Sequence, residues 1–419
     1  MRRTANTFIA LLLLAGAAAP LSAQQLLVPM DMEQSDHLKA YGLMFWALDH
    51  QLTGEWLLNY RSGSFLLPDR PDVRREAALR GVTTLPLTAS QVSEAYAEIE
   101  QSNMDRVILE KAPRIAVYTP DYENPWDDAV TLALEYADIP YDKLWDAEVL
   151  QGRLSEYDWL HLHHEDFTGQ YSKFYLSYRD RLQEAIEVNQ AMAQQFGHPD
   201  VPALKKAVAE EMRRYVLQGG FLFAMCTATE TIELALAAFG VDIAGAFSDG
   251  TPMDPEATQK LQWDRTLAFR DADLQLNPGV NAFSDIDGHQ VNTPWRQPLG
   301  VFGLFDFSPK FDPVASMLVQ NHERVLPDYY GLTTSFRRDR LKPGVIVLGE
   351  EEGTPWIKYI HGSFGEGTWT FLGGHDPEDP QHQIGDAHTD LSMHPHSPGY
   401  RLILNNVLFP AAKKKSLKT

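Results

Sequence analysis

The sequence predicts an α/β fold: a parallel sheet with helices on both faces, preceded by a smaller N-terminal α/β domain. Two observations carry this. Short apolar runs such as Arg114-Ile-Ala-Val-Tyr-Thr119 and Phe221-Leu-Phe-Ala-Met225 alternate with helical stretches, the pattern of a parallel sheet buried on both sides. The 419 residues are 44% hydrophobic and 22% charged, which excludes disorder over most of the chain.

Residues 1–23 read as a secretory signal peptide. Arg2 and Arg3 precede the apolar run Phe8–Ala19, and Pro20-Leu-Ser-Ala23 ends in a small residue, so cleavage is expected before Gln24. The run is too short to span a bilayer, and no later stretch is long and apolar enough to do so. The expectation is a protein of the periplasm or the extracellular space, with no integral membrane segment. Lys and Arg number 36 against 57 Asp and Glu, a net charge of −21, which disfavours nucleic acid as a partner. One cysteine, Cys226, excludes an intramolecular disulfide and any Cys-rich cluster.

Residues 24–112 form the expected first domain. Gln25–Met30, Glu55–Tyr60 and Ser64–Leu67 read as strands, and Asp36–His50, Pro71–Arg80 and Ala89–Gln101 as helices. The second domain spans 113–410. Its expected strands are Arg114–Thr119, Tyr141–Trp145, Tyr157–His163, Phe221–Met225, Val345–Leu348, Trp356–Ile360 and Gly367–Leu372. Its expected helices are Pro125–Ala137, Tyr175–Phe196, Val201–Gln218, Thr229–Phe239 and Tyr400–Val407. Residues 245–340 are rich in Pro, Gly and Asp and read as a loop-rich insertion; residues 411–419 read as a basic tail.

The most informative run is Gly219-Gly-Phe-Leu-Phe-Ala-Met-Cys-Thr-Ala-Thr-Glu-Thr-Ile-Glu. A buried strand ends, Cys226 follows, and a helix begins at once. That is how a nucleophile elbow lifts a side chain above a sheet, with helix N–H groups placed to favour a thiolate and an oxyanion. A lone cysteine also fills space in cores, so packing is the plain alternative. Thr370-Phe-Leu-Gly-Gly-His375-Asp-Pro-Glu378 ends another strand. Parallel strands end on one edge, so His375 is expected near Cys226 as proton shuttle, with Glu378 or Asp376 orienting it.

A second group is His161-Leu-His-His-Glu-Asp166. His161, His163, His164 and Glu165 are expected to shape the substrate pocket. Arg61, in Arg61-Ser-Gly-Ser64 after a strand, is a candidate anion contact. His163, His164, Glu165, His375, Asp376 and His382 form an alternative divalent-metal set, because imidazole and carboxylate suit transition metals. Loop bracing by hydrogen bonds competes with both roles, and no cofactor is otherwise called for.

Cys226 with its helix, and His375 with Glu378, resemble the class I glutamine amidotransferase-like fold, over about residues 113–240 and 340–410. The elbow here is Ala-Met-Cys-Thr-Ala where that family has Gly-x-Cys-x-Gly, and His-Asp-Pro-Glu is one residue longer than the family's His-x-Glu. The ThuA-like proteins share the sheet without the cysteine chemistry. Trp56-Leu-Leu-Asn-Tyr-Arg-Ser-Gly-Ser-Phe, Trp126-Asp-Asp-Ala-Val, Tyr157-Asp-Trp-Leu-His-Leu-His-His-Glu-Asp-Phe-Thr-Gly-Gln and Gly373-Gly-His-Asp-Pro-Glu-Asp resemble, along the whole chain, exported bacterial proteins labelled asparagine synthetase B. The synthetase motifs themselves, an N-terminal cysteine and a Ser-Gly-Gly-x-Asp-Ser loop, are absent. The resemblance implies a flavodoxin-like sheet and hydrolysis of a small amide or related acyl compound through Cys226, His375 and Glu378. A non-catalytic binding protein for a sugar, peptide or surface component, and a metal-dependent hydrolase, are the alternatives.

Overall fold

The computed structural model describes residues 25–120, 128–171, 182–275, 283–287, 299–382 and 386–413. The expected signal peptide and residues 414–419 of the expected tail lie outside the described residues.

The N-terminal part is a five-stranded antiparallel sheet. It contains β1 (Gln25–Val28), β2 (Gly54–Leu58), β3 (Ser64–Pro68), β4 (Leu85–Leu87) and β5 (Asp105–Leu109), in the order β4-β1-β3-β2-β5. Helices α1 (His37–Asp49), α2 (Pro71–Arg80) and α3 (Ala89–Gln101) accompany it. Their starts follow from local chemistry. The Asp36 side chain accepts from Lys39 N, and Thr88 forms a reciprocal capping box with Gln91. The last two strands, β4 and β5, are additions to the sequence reading. Pro86 in β4 lacks an N–H, which an edge strand tolerates.

The larger sheet has ten strands. Five are parallel: β6 (Ile115–Tyr118), β7 (Asp142–Leu144), β8 (Trp159–Leu162), β9 (Phe221–Met225) and β17 (Gly367–Leu372), in the order β7-β6-β8-β9-β17. Beyond β17 the sheet turns antiparallel. The order continues through β16 (Trp356–Phe364), β15 (Ile346–Glu351), β12 (Val301–Leu304) and β13 (Val325–Pro327), while β14 (Phe336–Arg337) pairs with β16. The all-parallel expectation is therefore corrected to a mixed sheet. The segment read as a loop-rich insertion supplies three of its strands, each too short to show periodicity; β10 (Leu274–Gln275) and β11 (Phe283–Ser284) form a separate pair.

Both faces of the parallel strands are apolar, as burial on both sides demands. Trp159, Phe221 and Phe223 point into one core with α1, α4 (Ala129–Tyr136) and the C-terminal helix. Leu160, Leu222 and Ala224 point into another, together with helices at 146–150, 201–217 and 228–237. Among the described residues the helices after α4 are, in chain order, α5 (Asp146–Leu150), α6 (Gln183–Gln195), α7 (Val201–Leu217), α8 (Ala228–Ala237), the short α9 (Ala246–Asp249) and α10 (Ala257–Lys260), α11 (Pro313–Leu318) and α12 (Pro398–Leu408). The first core runs across the expected domain boundary, since α1 packs on α4 and α12. The start of the expected tail is held as well: Glu110 N donates to Ala411 O at 3.1 Å and Lys413 N to Ile108 O at 2.9 Å.

Candidate active site

Strands β8, β9 and β17 are neighbours, with Leu162 paired to Ala224 and Leu372 to Met225. The residues that follow them, His163, Cys226 and Gly373-Gly374-His375, therefore emerge on one edge. Backbone hydrogen bonds tie these ends together: Ala228 N donates to His163 O at 2.9 Å and Cys226 N to Gly374 O at 3.2 Å. Gly374 has φ +91°, and a Cβ there would meet the Tyr329 ring at 2.5 Å, so a side chain is excluded.

Cys226 itself sits at φ 47°, a left-handed conformation that costs a non-glycine residue about 1–3 kcal/mol. Helix α8 starts two residues later. This is the sharp strand-to-helix turn expected of an elbow. The thiol is 2% exposed. Cys226, His163 and His375 each offer a donor atom, and the three atoms lie within 4.8 Å of one another. Leu332 N donates to the sulfur at 3.3 Å. Burial pushes the thiol up, but the hydrogen bond and charge of His375, the Leu332 amide and the charge of His164 outweigh it and bring the pKa down to about 6.

Behind His375 stands a chain of buried groups. His163 Nε2 lies 2.9 Å from His375 Nδ1, and His163 Nδ1 lies 3.1 Å from Asp128 Oδ1. Burial drives His163 down to about 3, against the pull of Asp128, so the ring is neutral. Burial raises the Asp128 carboxyl, but His161 and His163 outweigh it and hold it well below the usual carboxylate range. Asp128 also accepts from Val130 N at 2.7 Å, capping α4. His161 faces Phe223 O through Nδ1 at 3.1 Å and Asp128 through Nε2 at 3.2 Å.

The other expected residues fall in several places. Glu378 is not the partner of His375: its carboxylate lies 2.9 Å from His394 Nδ1. Asp376 turns inward on its own loop, accepting from Glu378 N at 2.9 Å and Thr389 Oγ1 at 2.7 Å. Glu165 accepts from His163 N at 2.9 Å, which braces the rim, and the His164 ring lies 5.6 Å from that of His163. Arg61 belongs to a separate ion pair, 2.7 Å from Asp31 and 2.5 Å from Glu33. His382 stacks on His375 at 4.5 Å while its Nδ1 lies 3.0 Å from Asp379. The six-residue metal set is thus not assembled among the described residues; only His163 and His375 of it join, and their third partner is Cys226.

Sequence reasoning missed Asp128, Leu332 and Glu230. Asp128 lies inside the helix expected over Pro125–Ala137 and has no separate signal there; in the structure it is the N-cap of α4. Leu332 lies in the stretch read as insertion, and its loop folds over the sulfur. Glu230, on α8, pins that loop: it accepts from Ser284 N at 2.7 Å, Ser284 Oγ at 2.8 Å and Thr333 Oγ1 at 3.1 Å. Of the amides after Cys226, that of Ala228 is committed to His163 O, while that of Thr227 has no acceptor among the described residues.

No family model and no curated protein matches the chain. Among solved structures it is similar to a cytoplasmic protein of Salmonella typhimurium LT2, at 13% identity and TM-score 0.34, over 72% of this chain and 100% of that one. A second cytoplasmic protein of Salmonella typhimurium gives 11% identity and TM-score 0.37 over the same shares. A β-galactosidase of Bacillus circulans sp. alkalophilus gives 12% identity and TM-score 0.25, over 62% of this chain and 28% of that one. Likenesses this slight do not bear on function.

Proposed function

We propose that this chain is an exported, cysteine-dependent hydrolase of a small amide or related acyl compound, related in its chemistry to the class I amidotransferases. One observation carries the reading: a cysteine at a left-handed strand-to-helix turn, hydrogen-bonded to a histidine that is itself held by His163 and Asp128. The parallel order β7-β6-β8-β9-β17 supports a flavodoxin-like core, because renumbered along the chain it reads 2-1-3-4-5.

The proposed chemistry follows from the hydrogen bonds. His163 keeps its proton on Nδ1, 3.1 Å from Asp128, so its Nε2 accepts from His375 Nδ1–H. The second nitrogen of His375 is then the base. It takes the thiol proton as sulfur attacks the carbonyl carbon, and returns that proton to the leaving amine as the C–N bond breaks. The Thr227 amide is placed for the oxyanion. Water, deprotonated by His375, then cleaves the thioester. Substrate entry requires the Leu332 loop to lift from the sulfur.

The test is trapping with an electrophilic glutamine-like chloroketone, read by mass spectrometry of the native, metal-free protein. One adduct on Cys226, slowed about 10²–10⁴-fold by His375→Ala, is expected. Modification only after unfolding would leave a packed thiol and a non-catalytic binding protein.

A further inference from the structure

We propose that His163, Cys226 and His375 form a site for one zinc-class transition-metal ion, and that the filled site silences the thiol. The proposal does not depend on the thiol being a nucleophile. Three features of the geometry carry it.

The donor set is the first. One thiol sulfur and two imidazoles offer atoms within 4.8 Å of one another. Thiolate and imidazole are borderline-soft ligands that favour zinc, cobalt and copper over magnesium or calcium, which take oxygen. Zinc–nitrogen and zinc–sulfur bonds at tetrahedral angles place the two nitrogens about 3.3 Å apart and each about 3.6 Å from sulfur. His163 Nε2 and His375 Nδ1 now stand 2.9 Å apart, and the ion enters as the His375 ring turns to share Nδ1 between that place and the sulfur.

The support behind the ligands is the second. His163 Nδ1 lies 3.1 Å from Asp128, the carboxylate–histidine arrangement that fixes ring orientation and raises ligand basicity in metal sites. Asp128 is in turn fixed by the α4 amides and by His161. The Ala228–His163 and Cys226–Gly374 hydrogen bonds tie the backbones that carry the three ligands to one another before any ion arrives.

Burial is the third. Cys226 is 2% and His375 9% exposed. A substrate must displace the Leu332 loop to reach them, whereas a bare ion needs no substrate-sized cavity. The fourth position falls to water. On binding, the thiol releases its proton to solvent, and His375 moves its ring proton to the nitrogen that the ion does not use; His163 keeps its proton toward Asp128. Two other groups are weaker: Asp128, His161 and His163 offer no thiol, and the Asp379, His382, Asp386 group includes an exposed carboxylate and no thiol.

The experiment is an anaerobic cobalt(II) titration of chelator-treated, tag-free protein, followed by absorption. Saturation at one equivalent is expected, with a thiolate-to-cobalt charge-transfer band and the visible bands of tetrahedral cobalt, erased by zinc but not by magnesium or calcium. Cys226→Ser should lose the charge-transfer band, and Asp128→Asn should weaken binding about 10–100-fold. Zinc should also slow iodoacetamide labelling of Cys226 in the wild-type protein, a readout that needs no variant to fold. No charge-transfer band at one equivalent, its survival in Cys226→Ser, or labelling that zinc leaves unchanged would overturn the site. The hydrolase reading is scored separately, on the metal-free protein, so the two fail independently.

Discussion

His375 Nδ1 meets His163 Nε2 at 2.9 Å, and this imidazole–imidazole contact takes the place expected for a carboxylate. A histidine orients its neighbour only if its own tautomer is fixed, and Asp128 fixes it from the far side. Negative charge is thus held one ring further from the sulfur than in a cysteine–histidine–acid triad.

Asp128→Asn isolates that charge. Asparagine still caps α4, so the helix start is kept. The amide can present either a donor or an acceptor to His163, and the tautomer is no longer enforced. Chloroketone trapping at Cys226 should slow about 10–100-fold with unchanged far-ultraviolet circular dichroism. An unaltered rate would show that Asp128 serves its helix alone. Glu378→Gln, by contrast, should leave the rate within about twofold, because a rim pair with His394 carries little energy.

Much of this site could be read in the chain, and the limits have physical causes. Phe221–Met225 is a continuous apolar run and Gly367–Leu372 is rich in aromatic and β-branched residues, and the structure places those strands at the expected bounds. Strand β16 extends past its expected end at Ile360 to Phe364, through Gly362, whose missing Cβ makes room for the Trp369 ring. The Leu332 loop had no local signal: its position depends on Glu230 and Lys358, far away in sequence. Glu378 illustrates the opposite error. Sequence proximity to His375 suggested a partner, but the Asp376 turn directs its carboxylate to His394.

Lys358 and Asp328 make a buried ion pair at 2.5 Å, and Lys358 Nζ also donates to Tyr329 O at 2.7 Å, next to the loop over Cys226. Removing one charge strands the other. Lys358→Met should cost about 3–5 kcal/mol, while Lys358→Met with Asp328→Leu should recover most of that loss. Urea unfolding midpoints of the three proteins decide the matter. A double variant as unstable as the single one would mean that the Tyr329 carbonyl contact, not the charge, dominates.

Glu230 accepts hydrogen bonds from Ser284 N, Ser284 Oγ and Thr333 Oγ1. Glu230→Ala leaves those donors unsatisfied and frees the Leu332 loop. About 3 kcal/mol of stability should be lost. The informative measurement is thiol labelling under native conditions. It should quicken more than global unfolding accounts for, since the loop opens locally. Labelling that tracks the unfolding equilibrium alone would remove Glu230 from control of access.

The last expectation concerns acid. His37 is lowered to about 3 and His322 to about 4, in both cases by burial first and then by the charge of Arg401. Their rings are 4.4 Å apart, His396 stands 4.9 Å from His37, and Arg401 reaches His322 Nδ1 at 3.3 Å. Both rings bind protons less readily folded than unfolded, where the value is 6.5. Their stabilisation is therefore complete above about pH 6.5 and is lost as the pH falls toward the folded values. Each ring adds up to about 1.4 kcal/mol per pH unit to the slope in that window. Buried carboxyls such as Glu351, raised to about 7 first by burial and then by Asp328, act in the opposite sense, so the total slope is not diagnostic. The difference between wild type and His322→Gln is. Urea midpoints between pH 7.5 and 5 should fall less steeply in the variant, because one proton-binding group has been removed from the unfolded chain. Parallel slopes would mean that His322 titrates alike in both states and that burial and Arg401 do not hold it neutral.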